Sequence, residues 1–217
     1  MKAAVFYGKG DIRVDEHYPM PAVGPESVLI QVKACGVCGT DVHIYGGAQG
    51  ATECNPPVIL GHEFSGVVTQ VGSAVTRVKV GDHVTVNPNI SCDACEQCRR
   101  GNPHFCDSMA ATGVNYDGGF AEYCLVPSEW HFVESTNPDL SDDALAMVEP
   151  CTVAQHAIRK SGLTAGQNLL IFGAGPIGQM AARWGKIFGA STVVLVDVLD
   201  EKVEYARSHG NIAFNSM

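Results

Sequence analysis

No stretch of this 217-residue sequence is long and apolar enough to span a bilayer. Runs such as Asn168–Phe172 and Thr192–Val196 fall far short of the roughly 20 residues a crossing helix needs. The N-terminal residues, Met1 to Gly10, lack the hydrophobic segment and the cleavage site of a signal peptide. Basic residues are scarce: 14 Lys and Arg stand against 23 Asp and Glu, a formal net charge of -9. That balance argues against a nucleic-acid surface, which needs clustered cations to neutralise phosphates. Internal repeats and low-complexity tracts are also missing. What is present, 46% hydrophobic and 17% charged residues, is ordinary globular composition able to bury a sizeable core. The length suits one large domain, or one domain with part of another. The expectation is a cytoplasmic protein without nucleic-acid or membrane partners.

Short β-branched and aromatic segments fill the first half, at Lys2–Tyr7, Asp11–His17, Ser27–Ala34, Glu63–Val71, Asp82–Val86, Phe120–Val126 and Trp130–Val133. Gly, Pro, Asn and Ser punctuate them, which predicts a mainly-β, barrel-like domain. Near residue 141 the pattern changes. Ser141 is placed to cap a helix whose first turn holds Asp142 and Asp143, and the helical stretch runs to about Ser161. Strand Gln167–Phe172, helix Pro176–Phe188, strand Thr192–Asp197, helix Asp200–His209 and strand Ile212–Phe214 follow. Pro176 suits a first helical turn and Gly210 a helix stop. This alternation predicts parallel, doubly wound α/β architecture.

Nine cysteines, an odd number in a chain read as cytoplasmic, favour metal ligation over a disulfide framework. Cys92-x2-Cys95-x2-Cys98-x7-Cys106 offers four thiolates to one tetrahedral zinc, a closed and therefore structural site. The same spacing also suits an iron–sulfur cluster, although the rest of the chain favours zinc. His104 lies inside this lobe but reads as a surface residue beside four available thiolates. A second group joins Cys35-Gly-Val-Cys38-Gly-Thr40-Asp41-Val-His43 to Gly61-His62-Glu63. Taken singly, its members could be core and turn residues, a redox Cys-x2-Cys pair or a satisfied core histidine.

The third signal is Gly173-Ala174-Gly175-Pro176-Ile177-Gly178, between a predicted strand and a predicted helix. That is the context a dinucleotide fingerprint requires: glycines for the tight turn and close pyrophosphate approach, and a helix N-terminus to face the charge. Asp197 ends the next strand, 24 residues after Gly173, where an acid hydrogen-bonds the adenosine ribose. Its charge would repel the extra phosphate of NADP, so NAD is the expected cofactor. A glycine-rich packing turn is the plainer alternative.

Together with Gly118-Gly119-Phe120-Ala121-Glu122-Tyr123 and Val148-Glu149-Pro150, these blocks resemble the zinc-containing medium-chain dehydrogenases, in particular their sorbitol, arabitol and galactitol-phosphate branch. The resemblance runs the length of the chain. It implies a GroES-like catalytic domain over residues 1–152, with the zinc lobe at 89–108, then the first half of a Rossmann NAD-binding domain over 153–217. It implies two zinc ions, one catalytic and one structural. Cys38 and His62 map to catalytic ligands and Cys35 to a packing residue. Where alcohol dehydrogenases proper use a further cysteine, this chain has Glu149. The polyol branch brings a glutamate to the metal, so Glu63 or Glu149 is the third ligand, with Cys151 competing. Asp41 is a candidate to orient His62. Lys202 is expected at the ribose, and Tyr45 is a candidate to line the substrate pocket.

The implied reaction moves a hydride from a secondary alcohol, a polyol or sugar-alcohol phosphate, to NAD. Thr40 would take the alcohol proton and pass it through the nicotinamide ribose to His43. Threonine and 2,3-butanediol dehydrogenases share much of the motif set, and a non-catalytic zinc-binding assembly module would show the same ligands. A complete dinucleotide domain has two such halves, so on the order of a hundred residues are expected beyond Met217. On that reading the 217 residues alone would show little or no turnover. The resemblance also implies a dimer or tetramer.

Overall fold

The alternation of apolar and polar residues in the first half becomes a set of antiparallel sheets, because each strand can bury only every second side chain. The computed structural model describes residues 1–48, 53–135, 137 and 139–217. They form two compact units, Met1–Glu149 and Pro150–Met217.

In the first unit, β1 (Ala3–Gly8), β2 (Asp11–Asp15) and β3 (Val28–Gly36) lead to a short helix α1 (Gly39–Tyr45). Then follow β4 (Val58–Ile59), β5 (Glu63–Val71), β6 (His83–Val86), β7 (Asn89–Ile90) and the one-turn helix α2 (Glu96–Arg99). The remaining strands are β8 (Ala110–Ala111), β9 (Tyr123–Val126) and β10 (Phe132–Glu134). They pair as sheets of order β2-β1-β4 and β10-β6-β5-β3-β9, with a β7-β8 ribbon. The first two are joined where Ala3 bridges Ala121, with the Ala4 N–H donating to the Phe120 carbonyl and the Glu122 N–H to that of Lys2. Among the described residues they do not close into one continuous barrel, and the mainly-β, barrel-like expectation stands in that open form. The long antiparallel pair β3·β5 carries bulges at Leu29/Ile30 and Val32/Ala34, which bend the strands and raise their local twist. Its buried side holds Val28, Ile30, Phe64 and Val68, joined by Val84, Val86, Val126 and Phe132.

The stretch expected as one helix to Ser161 is two: α3 (Asp142–Ala146), capped by the Ser141 hydroxyl accepting the Ala144 N–H, and α4 (Val148–Lys160). The physical reason is Pro150. It has no N–H to give the Ala146 carbonyl, so the first helix ends there, while the first turn of the second tolerates proline.

The second unit contains most of α4, then β11 (Asn168–Phe172), α5 (Pro176–Ile187), β12 (Thr192–Asp197), α6 (Asp200–Ser208) and β13 (Ile212–Asn215). The strands form a parallel sheet in the order β11-β12-β13. Ala174, Ala182, Val193, Leu195, Val203, Ala206 and Ala213 make one core of the unit. Ala154, Ile158 and Ala181 make another between α4 and α5. No helix of the described residues is long and apolar enough to cross a membrane.

Candidate metal and dinucleotide sites

β3 ends at Gly36 and the chain turns through Cys38, which caps α1; β5 starts opposite, with Glu63 as the cross-strand partner of Gly36. This antiparallel register brings the Cys35–His43 block against Gly61-His62-Glu63. Cys38 Sγ, a ring nitrogen of His62 and a carboxylate oxygen of Glu63 all lie within 4.8 Å of one another. Asp41 ties the two segments together from beneath. It is only 4% exposed; its Oδ2 accepts the Cys38 N–H at 2.8 Å and its Oδ1 the Gly61 N–H at 3.3 Å. His62 Nδ1 stands 3.6 Å from the same Oδ1. That nitrogen is buried without a hydrogen-bond partner among the described residues.

Burial by itself would lower the imidazole's pKa. The Cys38 thiol and the charges of Asp41, Cys38 and Glu149 oppose it, and the net shift is upward. A cation is what this group favours, and a soft–borderline set of thiolate, imidazole and carboxylate is a zinc-type donor set. The residues therefore fit the expected metal.

Glu149 lies outside that trio of ligand atoms. Burial raises its carboxyl pKa, Glu63 adds to the rise, and His62 pulls the other way, so the three groups feel one another. Cys151 belongs to the second unit, where its sulfur and carbonyl both accept from the Trp184 indole N–H. Cys35 is a packing thiol: burial, then the Asp41 and Glu63 charges, push its pKa to about 12. Thr40 is half-buried and His43 exposed, three residues apart on α1 and hence on neighbouring turns of one face. Tyr45 ends that helix, 43% exposed.

The cysteine lobe closes on itself. The four sulfurs of Cys92, Cys95, Cys98 and Cys106 lie within 4.8 Å of one another, and all nine cysteines of the chain are unpaired. Backbone N–H groups aim at the sulfurs, from Cys92 and Ser108 to Cys106 Sγ and from Cys95 to Cys92 Sγ, at 3.3–3.4 Å. Hydrogen bonds from the Ala94 and Cys95 backbones bring the Cys92 thiol down to about 7, toward the thiolate a metal needs. His104 is exposed on a 3₁₀ turn, Pro103–Phe105.

In the second unit the glycine turn links β11 to α5. Gly173 has φ +99°, and a Cβ on Gly178 would strike its carbonyl, so the first and third glycines pack backbone on backbone. Gly175 caps the helix ahead of Pro176 and Ile177, and a Cβ there would meet nothing within 4 Å. Open space above a helix N-terminus is the cradle a pyrophosphate would fill. Asp197 ends β12, and its carboxylate accepts the Ala174 N–H at 2.8 Å and the Leu199 N–H at 3.0 Å. These bonds, with Lys202 nearby, hold its pKa below the ordinary aspartate value.

Sequence reasoning missed the scaffold under His62. The 118–120 segment is zipped to 59–61 through Gly118 N–H to Ile59, Gly119 to Gly61 and Phe120 to Leu60, at 2.8–3.0 Å. A side chain at Gly113 or Gly118 would collide with the Gly61 carbonyl. The signal available was the crowding of glycines at 113, 118 and 119, which mark close backbone approach.

The alcohol dehydrogenase GroES-like domain model matches residues 24–136, more than half of the chain. The chain belongs to the alcohol dehydrogenase GroES-like family. D-xylulose reductase A of Aspergillus niger is 38% identical over 201 residues, 91% of this chain and 56% of that protein. Galactitol-1-phosphate dehydrogenase from Escherichia coli superposes with TM-score 0.90 at 32% identity, over 100% of this chain and 61% of that one. A chain from Sinorhizobium meliloti 1021, solved bound to NADP, gives TM-score 0.89 at 38% identity over 98% and 60%. The family member described here thus spans about half the length of the curated relatives it matches.

Proposed function

We propose that the chain carries the metal-binding and proton-handling residues of a zinc-dependent oxidoreductase that transfers a hydride from a secondary alcohol to NAD. The substrate class we propose is a polyol or sugar-alcohol phosphate. The observation that carries the reading is the convergence of Cys38, His62 and Glu63 ligand atoms within 4.8 Å. Glu149 is the alternate carboxylate, supported by its mutual influence with His62 and Glu63. Cys92, Cys95, Cys98 and Cys106 would hold a second, structural zinc.

When bound, the catalytic zinc would supply the Lewis acidity that brings an alcohol's pKa toward neutrality, and the dinucleotide would accept the hydride. The chain's own groups do the rest. Asp41 fixes the Cys38 turn and the Gly61 backbone through its hydrogen bonds, and its carboxylate, 3.6 Å from His62 Nδ1, orients that imidazole electrostatically. Thr40 Oγ1 is the first acceptor of the alcohol proton, and the exposed His43 imidazole is its outlet to solvent. The Gly173–Gly178 turn and the N-terminus of α5 hold the pyrophosphate, with Asp197 and Lys202 at the ribose. NAD is proposed over NADP because Asp197 stays charged where a 2′-phosphate would sit, although one solved neighbour was bound to NADP. A reducing compartment, in keeping with nine unpaired cysteines, and a dimeric or tetrameric state complete the proposal.

Zinc analysis tests the centre. Two equivalents per chain are expected, with Cys38→Ser retaining one and Cys98→Ser retaining the other. A single equivalent that survives Cys38→Ser would refute the catalytic site. Substrate class is read by joining residues 1–217 to the remainder of the Aspergillus niger relative and screening polyols, their phosphates, threonine and 2,3-butanediol for NADH formation.

A further inference from the structure

We infer that Gly36 is a positioning residue for the metal centre: its missing side chain leaves the space in which the Glu63 carboxylate folds toward Cys38 and His62. The inference rests on the zinc reading above. Gly36 and Glu63 are direct cross-strand partners at the end of the β3·β5 ladder. A Cβ built on Gly36 would lie 2.5 Å from Glu63 Oε2, 3.3 Å from Glu63 Cβ and 3.6 Å from Glu63 Cδ. No atom of any other residue is among the three nearest. The side chain of Glu63 therefore lies across the glycine, and the closest atom is the carboxylate oxygen itself.

Two features separate this glycine from the packing glycines around it. Gly36 is not among the residues with positive φ, so its backbone conformation does not require glycine. At Gly61, Gly113 and Gly118, by contrast, the backbone lies at positive φ or an added Cβ would meet a carbonyl. The obstacle at Gly36 is the far end of a flexible side chain, which can swing aside. An alanine there would be accommodated by the fold, and the Glu63 carboxylate would be what moves. Since that carboxylate sits within 4.8 Å of the Cys38 and His62 ligand atoms, its displacement opens the donor set.

The test uses the 217-residue chain and three variants: Gly36→Ala, Glu63→Gln and the pair together. Zinc affinity is read by chelator competition. Co²⁺ absorption, taken as a difference against Cys38→Ser, isolates this site from the cysteine lobe. Gly36→Ala is expected to keep the wild-type melting temperature without metal and to lose about tenfold or more in affinity. Its Co²⁺ spectrum should shift toward that of Glu63→Gln. The double variant should be no weaker than Glu63→Gln alone, because both changes act through one carboxylate.

Wild-type affinity in Gly36→Ala, or losses that add in the double variant, would overturn the inference. A wild-type chain holding one zinc that Cys38→Ser leaves in place would instead sink the metal reading, and this inference with it. If Gly36→Ala alone failed to fold, Gly36→Ala/Glu63→Ala decides the matter. Recovered folding assigns the clash to Glu63, and persistent unfolding refutes it.

Discussion

The glycine turn of the second unit separates two demands that a fingerprint motif usually confounds, and the separation can be measured. A methyl group at Gly178 would sit against the Gly173 carbonyl, backbone that a helix and a strand hold on either side. Overpacking of this kind costs about 1–3 kcal/mol, and the upper end applies because no flexible side chain can yield. A methyl group at Gly175 meets nothing within 4 Å, and its φ of -72° is ordinary for any residue. There the folded state loses nothing, and restriction of the unfolded chain contributes about 0.4–1 kcal/mol of stability. Dinucleotide binding should behave in reverse. Gly175→Ala fills the cradle and is expected to weaken NAD binding at least about tenfold, or roughly 1.4 kcal/mol. Chemical denaturation gives the stabilities and calorimetric titration with NAD the affinities. Wild-type stability in Gly178→Ala would refute the packing role of the third glycine, and wild-type NAD affinity in Gly175→Ala would show that the turn is only a packing device.

Other consequences are more direct. Asp41→Ala removes the acceptor for the Cys38 and Gly61 N–H groups, so zinc affinity at that centre should fall about 10- to 100-fold, while the zinc of the cysteine lobe stays bound. Metal analysis of the purified variant reads both sites at once. Asp197→Ser should narrow any preference for NAD over NADP, since the repelling charge is gone; paired titrations with the two cofactors measure it. Glu129 supplies a pH signature. Its pKa is lowered by bonds from the Arg77 and Thr76 backbones and the Thr76 hydroxyl, so its contribution is complete above the ordinary glutamate value near 4.5. It is lost as pH falls through the lower folded value. The melting temperatures of wild type and Glu129→Gln should therefore converge on acidification from pH 4.5, and a constant gap would contradict the assignment.

How much of this was legible depended on the distance over which each cause acts. Strands Glu63–Val71 and Thr192–Asp197 have the expected bounds, because alternation and buried β-branched runs are local properties. The convergence of the cysteine lobe was equally legible, since four cysteines within 15 residues leave little freedom in how their sulfurs meet. Two-residue strands such as Val58–Ile59 and Asn89–Ile90 carry no periodicity. Without them the order of strands within the sheets could not be foreseen. Helix Gly39–Tyr45 was hidden for another reason: its seven residues make fewer than two turns, too few to establish an apolar period. The break before Val148 was written in Pro150 but acts one turn upstream, at the Ala146 carbonyl.

The centre itself shows the limit most sharply. The resemblance to the polyol dehydrogenases named Cys38, His62 and the two glutamates as ligand candidates. What brings Glu63 rather than Glu149 into the trio with Cys38 and His62 is strand register, a relation between positions 27 residues apart. Register is fixed by the whole β3·β5 ladder, including two compensating bulges, one on each strand. Loss of either alone would slip the Gly36–Glu63 pairing by one residue and turn side chains to the other face. A spacing rule cannot contain that information. The glycine opposite Glu63 therefore carries no signal of its own in the sequence and acquires its meaning only from the partner the register gives it.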